Sequence, residues 1–164
     1  MDEPTAAGEL FTELMLEVFR VNGLALEAGD RLSEPVGLSS ARWQVLGVVD
    51  HEPAPVANVA RIMGLTRQSV QQTADALERD GFVEYLPNPH HRRAKLIALT
   101  PRGREALRKV EARHAAWANQ LGTEVDLKSL RAAVSGLRQV RDRLEGHAAS
   151  AAHDDARTGG AHGD

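Results

Sequence analysis

"GLTRQSVQQTADALERDGFVEYLPNPHHRRAKLIALTPRGREAL", residues 64–107, changes its apolar period twice within 44 residues. From 67 to 79 the apolar side chains Val70, Ala74 and Leu77 recur at helical spacing, with Thr66 placed to cap the first turn and Asp80-Gly81 to end the last. The period then becomes two. Over 82–86, Phe82, Glu84 and Leu86 alternate with Val83 and Tyr85. Over 95–100, Ile97 and Leu99 lie opposite Leu96, Ala98 and Thr100. Pro87 and Pro89 have no amide proton to give to a ladder, so the chain between the two runs is a hairpin tip, and that tip carries His90, His91, Arg92 and Arg93. Thr100 followed by Pro101 is a strong signal for the start of a further helix.

Upstream, Val56, Val59, Ala60 and Met63 make one face of a short helix, and Gly64 can take the left-handed conformation that a sharp turn needs. Two helices joined in this way make a helix-turn-helix. The second has a face that the core does not need: Arg67, Gln68, Gln71, Gln72 and Asp75. Its first turn is the part able to reach base edges in a major groove. A lone hairpin is marginal in water and must pack on the helices. This brings its basic tip beside the polar helix and makes one continuous basic surface. Charge follows the same division. Residues 61–104 carry eight basic and four acidic side chains, whereas 1–60 carry three and ten, so the net charge of −3 conceals a positive middle third.

The flanks are helical. Leu10, Leu14, Val18, Val21 and Ala25 form one stripe on a helix over 6–28, with Phe11, Met15, Phe19 and Leu26 beside it, an apolar arc wider than one packing partner requires. Gly29 and Asp30 are expected to stop this helix, and Pro35-Val36-Gly37 to form a loop. Ser39 caps a helix of about 40–50 that turns Trp43, Leu46, Val48 and Val49 inward. Helices over about 101–121 (Leu107, Val110, His114, Trp117, Leu121) and 127–145 (Leu130, Val134, Leu137, Leu144) follow. From Gly146 to Asp164 the residues are small, polar and aperiodic, which predicts a disordered tail.

Several classes of chemistry have no residues to carry them. There is no cysteine, hence no disulfide, thiolate metal site or thiol nucleophile. Nucleophile elbow, phosphate loop and paired-carboxylate motifs are missing, and the seven histidines include no pair at helical ligand spacing, so neither an enzyme, a metal site nor a cofactor is expected. No apolar run is long enough to cross a bilayer, and the acidic N-terminus has no secretory pattern, which predicts a cytoplasmic protein without a membrane partner.

The segment 64–107 resembles the MarR (multiple-antibiotic-resistance regulator) family of winged helix-turn-helix transcriptional regulators, and residues 10–145 fit that family's order of elements. The resemblance implies a mainly α fold with a small β-hairpin wing. It implies a single domain over 1–145, with dimerisation helices at 6–36 and 105–145 around a winged helix-turn-helix at 39–100. Thr66, Arg67, Gln68, Ser69, Gln71 and Gln72 fall where the family's recognition helix enters the major groove, and Arg93 where the wing arginine enters the minor groove. Arg92 and Lys95 are expected to add phosphate contacts. One departure is visible: His91 stands where the family usually places an aspartate that orients the wing arginine. A neutral imidazole can only accept one hydrogen bond, so Arg93 is less preorganised or Arg92 shares its task. Family members also bind small aromatic or phenolic acids. Arg20, the sole cation in 10–28, is then either the partner in an exposed or interface salt bridge or the counter-charge of such a ligand, with Trp43 as an apolar wall. The expected partners are a pseudo-palindromic double-stranded operator, a second copy of the chain and a small ligand, the expected function a homodimeric repressor. A nonspecific DNA binder and a helical protein-interaction module are the alternatives.

Overall fold

Thr66 accepts a hydrogen bond from the Ser69 amide at 3.1 Å and so opens the helix over 67–79. In the computed structural model, which describes residues 3–91 and 93–158, the elements run α1 (Ala6–Ser33), a 3-10 turn (Glu34–Val36), α2 (Ser40–Val48), β1 (Ala54–Pro55) and α3 (Val56–Met63). They continue with α4 (Arg67–Arg79), β2 (Val83–Leu86), β3 (Leu96–Leu99), α5 (Pro101–Thr123) and α6 (Leu127–Thr158). The helices expected at 56–63 and 67–79 have those bounds, and Gly64 between them is left-handed at φ 64°. The chain divides into two compact units, Met1–Ala116 and Trp117–Asp164.

In the first unit one apolar core joins the helix-turn-helix to the wing. Leu46, Val59, Val70, Leu77, Ile97, Leu107 and Val110 are each at most 1% exposed. Fully burying a side chain of this size is worth roughly 1.5–3 kcal/mol, which makes this cluster the main anchor of the site's geometry. The sheet has three strands in the order β1-β3-β2, all antiparallel. The hairpin pairs Val83 with Leu99 and Leu86 with Leu96. The third strand, Ala54–Pro55, pairs with Ile97 and Leu96 and was not expected. Two residues are too few to show a period, and Pro55 is tolerated because the strand lies at the sheet edge.

Two glycines are placed for close approach. Gly29 does not stop α1, which continues to Ser33. A Cβ at Gly29 would lie 2.5 Å from Ser40 Oγ, so its bareness lets the start of α2 pack against α1. Asp30 assists by accepting from the Ser40 amide at 2.7 Å. The expected stop was therefore a helix contact. At Gly103 a Cβ would overlap the Phe82 carbonyl, and the Thr100 hydroxyl bonds Gly81 O at 2.7 Å and the Gly103 amide at 3.1 Å. Together they pin the start of α5 to the root of the wing.

In the second unit Asp126 caps α6, accepting from the Ser129 amide at 2.9 Å. The helix does not end near 145. It reaches Thr158, which corrects the expectation of a disordered tail over 146–158; residues 159–164 lie outside the described ones. Alanine, the best helix former, recurs at 148, 149, 151, 152 and 156, and this local preference outweighs the lack of apolar periodicity. Among the described residues no helix is long and apolar enough to cross a membrane.

Candidate nucleic-acid interface

Val70, Ala74 and Leu77 fix α4 against the core, leaving Thr66, Arg67, Gln68, Ser69, Gln71, Gln72 and Asp75 exposed on its other face. The sheet then sets the wing beside that face. A cavity of about 670 Å³ between them is lined by Arg67, Gln68, Gln71 and Asp75 of α4, by Tyr85 of β2, and by Arg93, Ala94 and Lys95 at the base of β3. Pro55, Val56 and Ala57 complete its lining. Five of the residues expected to contact DNA thus face one groove: Arg67, Gln68, Gln71, Arg93 and Lys95. Thr66, Ser69 and Gln72 are exposed on the same helix but do not line the cavity. Arg92 lies outside the described residues.

The tip owes its shape to a residue that the sequence reading passed over. Asn88 Oδ1 accepts from the His90 amide at 3.0 Å, an Asx turn, and its carbonyl accepts from the His91 amide at 3.3 Å. A further turn, Ala94 N to His91 O at 3.1 Å, carries the chain past Arg93 into β3. His90, His91 and Arg93 all face solvent.

Across the groove runs a hydrogen-bonded triad. Tyr85 donates its hydroxyl proton to Asp75 Oδ1 at 2.7 Å, and Gln71 Nε2 donates both to the same oxygen at 2.7 Å and to the Tyr85 hydroxyl at 2.8 Å. Burial, reinforced by the bond to Asp75, pushes the Tyr85 phenol well above its ordinary pKa and keeps it protonated. The Lys95 ammonium stands 5.9 Å from the Tyr85 ring centroid. Asp75 had been recognised only as part of a polar face, and Tyr85 only as one residue of an alternating strand. Their partnership joins residues ten apart on two different elements, which no local pattern reveals.

The two residues considered for a ligand have partners of their own. Arg20, 75% exposed in its side chain, pairs with Glu17 at 2.9 Å, and the half-buried Trp43 meets the His114 ring at 5.1 Å between centroids. Arg42, beside Trp43, ties α2 to the end of α4 through Asp80 at 2.8 Å.

A recognition helix presenting arginine and glutamines next to an arginine-bearing wing defines a DNA-binding transcriptional regulator of the winged-helix class. Residues 36–94 match the model of the MarR family, and the chain belongs to that family. An uncharacterised protein of Mycobacterium tuberculosis is 36% identical over 127 residues, covering 77% of this chain and 89% of the relative. The transcriptional activatory protein BadR of Rhodopseudomonas palustris is 29% identical over 100 residues, 58% of this chain and 57% of BadR. Among solved structures, CouR from Rhodococcus jostii RHA1, bound to p-coumaroyl-CoA, superposes with a TM-score of 0.64 at 28% identity, covering 82% of this chain and 91% of CouR.

Proposed function

We propose that this regulator is a homodimeric, sequence-specific repressor whose two α4 helices enter successive major grooves of a pseudo-palindromic operator. The observation that carries the reading is the groove in which Arg67, Gln68 and Gln71 face Arg93 and Lys95. Arginine can grip guanine at O6 and N7, glutamine can meet an amino-bearing base, and the wing cations add phosphate and minor-groove contacts with salt-dependent affinity. Thr66, Ser69 and Gln72 on the same helix, and Arg92 on the wing, complete the proposed contact set.

Dimerisation is supported by apolar side chains that this chain leaves in water. Leu10, Phe19, Val21 and Leu24 of α1 are 60–69% exposed, and Leu127, Leu130, Val134, Leu137 and Leu144 of α6 are 37–62% exposed. Large apolar side chains left exposed on a helix in this number mark a protein contact. A dimer spanning two grooves covers a promoter by its bulk, and its target places it in the cytoplasm with the genome.

Release by a small aromatic or phenolic ligand is the last part of the proposal, supported by the phenolic acyl group of the p-coumaroyl-CoA bound to CouR. Arg20 would exchange Glu17 for the ligand's anionic group, with Trp43 as an apolar wall. Its effect is bounded by its preference for the state that does not bind DNA.

Selection from random double-stranded DNA at near-physiological salt tests the reading. An enriched inverted repeat with half-sites about 10 base pairs apart, centre to centre, is expected. Weak, salt-sensitive retention without enrichment would replace it with nonspecific binding, and no retention with an interaction module.

A further inference from the structure

Arg67, Gln71 and Asp75 follow one another at intervals of four residues, so they share one face of α4, and all three line the groove beside the wing. Arginine and glutamine suit a groove built for a polyanion. A carboxylate does not, since it repels phosphate. Asp75 is exposed, and among the described residues no cation forms an ion pair with it. Its two oxygens differ in what they meet. Oδ1 accepts the Tyr85 hydroxyl proton at 2.7 Å and a Gln71 amide N–H at 2.7 Å. Nothing among the described residues donates to Oδ2. Each carboxylate oxygen offers about two lone-pair sites, so Oδ1 is filled and Oδ2 is the acceptor left for a ligand. Tyr85 sits on β2, held opposite Ile97 of β3, and its bond to Oδ1 fixes how the carboxylate is turned.

Base chemistry narrows what can meet that oxygen. The only donors in the major groove are the N4 amino group of cytosine and the N6 amino group of adenine; guanine presents two acceptors, and thymine an acceptor and a methyl group. Adenine sets its N7 acceptor beside the amino group, so a carboxylate that takes the N6 proton also meets the N7 lone pair. Cytosine presents the amino group alone. We propose that Asp75 is a specificity-determining residue that reads cytosine through Oδ2, with Tyr85 as the positioning residue that holds its carboxylate. Against cytosine the negative charge strengthens the hydrogen bond. Against guanine, thymine or a misplaced phosphate it repels, so one residue discriminates by both attraction and repulsion. The inference rests on the DNA-binding reading above and deepens it by one contact.

The test is selection from random double-stranded DNA by the full chain as wild type, Asp75→Ala and Tyr85→Phe, each checked for folding by circular dichroism and thermal melting. Wild type is expected to prefer cytosine over guanine or thymine by about tenfold at one position of each half-site. In Asp75→Ala that preference falls to about twofold or less, while the other positions keep theirs. Tyr85→Phe keeps the cytosine but lowers the preference about threefold, because a carboxylate free to turn must be ordered as it binds. On the selected operator, replacing that cytosine by a pyrimidin-2-one nucleotide, which lacks the amino group, weakens wild type about tenfold and leaves Asp75→Ala unchanged. An Asp75→Ala profile identical to wild type, one altered at all positions alike, or one that loses a base other than cytosine would each overturn the inference while leaving the regulator reading intact. So would an analogue that weakens both proteins equally. An unchanged Tyr85→Phe profile would overturn the role given to Tyr85. A folded wild type that selects no sequence at all would overturn both readings.

Discussion

Helices α4 and α6 are both amphipathic, yet one buries its apolar stripe and the other leaves it exposed. α4 turns Val70, Ala74 and Leu77 inward to at most 1% exposure, and its polar face is braced by Asp75 and Tyr85. α6 has as regular a stripe, but Leu127, Leu130, Val134, Leu137 and Leu144 remain at least 37% exposed. The same sequence period thus produces a finished surface in one place and an unfinished one in the other. An apolar stripe says that a helix will be covered, and not by what. For α4 the cover is the core below it; for α6 the proposed cover is a second copy.

The strongest way to break this contrast is to charge the unfinished stripe. Leu130→Lys with Leu137→Lys is expected to give a folded monomer by analytical ultracentrifugation. Losing the second recognition helix should weaken binding to an inverted repeat by about 10²–10⁴-fold, the usual gain from linking two sites. A double variant that still sediments as a dimer would show that α6 is not the contact.

The equivalent change in the finished region acts on stability. Gly103→Ala forces a methyl group into the Phe82 backbone, whose carbonyl carbon would lie 2.9 Å away. Overpacking of this kind should cost about 3 kcal/mol in urea-denaturation experiments. A loss under about 0.5 kcal/mol, the range of ordinary surface changes, would mean that the root of the wing is not rigid.

Next comes chemistry on the finished face. Arg67→Ala should cost about 2 kcal/mol of discrimination at one operator base pair, relaxing preference there as well as weakening binding. Uniform weakening, measured by competition with single-base operator variants, would reduce Arg67 to a phosphate contact.

The sequence was most readable where a local rule coincides with a tertiary need. Thr66, Gly64 and the inward face of α4 obey capping, turn and period rules, and the core uses them as those rules require. It was least readable where the meaning of a residue depends on something distant. Gly29 has the form of a helix stop but serves the approach of Ser40, eleven residues on. β1 exists only because β3 offers it an edge. The Gln71–Asp75–Tyr85 triad joins two elements whose separate patterns are unremarkable. Over 146–158 propensity prevailed where periodicity was silent.

The smallest effect expected is at Arg93, and it tests how well the wing is held. Arg93 lies at the mouth of the groove, on a tip organised by Asn88 backbone and side-chain bonds, with solvent-facing His91 where the family's aspartate would sit. A guanidinium without a carboxylate to orient it must be ordered as it binds, and that lost freedom subtracts from its contact energy. Arg93→Ala should therefore weaken all sequences alike by about fivefold and reduce the slope of log affinity against log salt by about 1. Restoring the carboxylate with His91→Asp should enlarge the Arg93→Ala effect in a double-mutant cycle, because a preorganised guanidinium has more to lose. If the slope is unchanged by Arg93→Ala, the residue makes no phosphate contact and the recognition helix acts without it. If the slope falls but His91→Asp changes nothing, Arg93 is already ordered by the Asn88 turn, and the histidine is a neutral replacement.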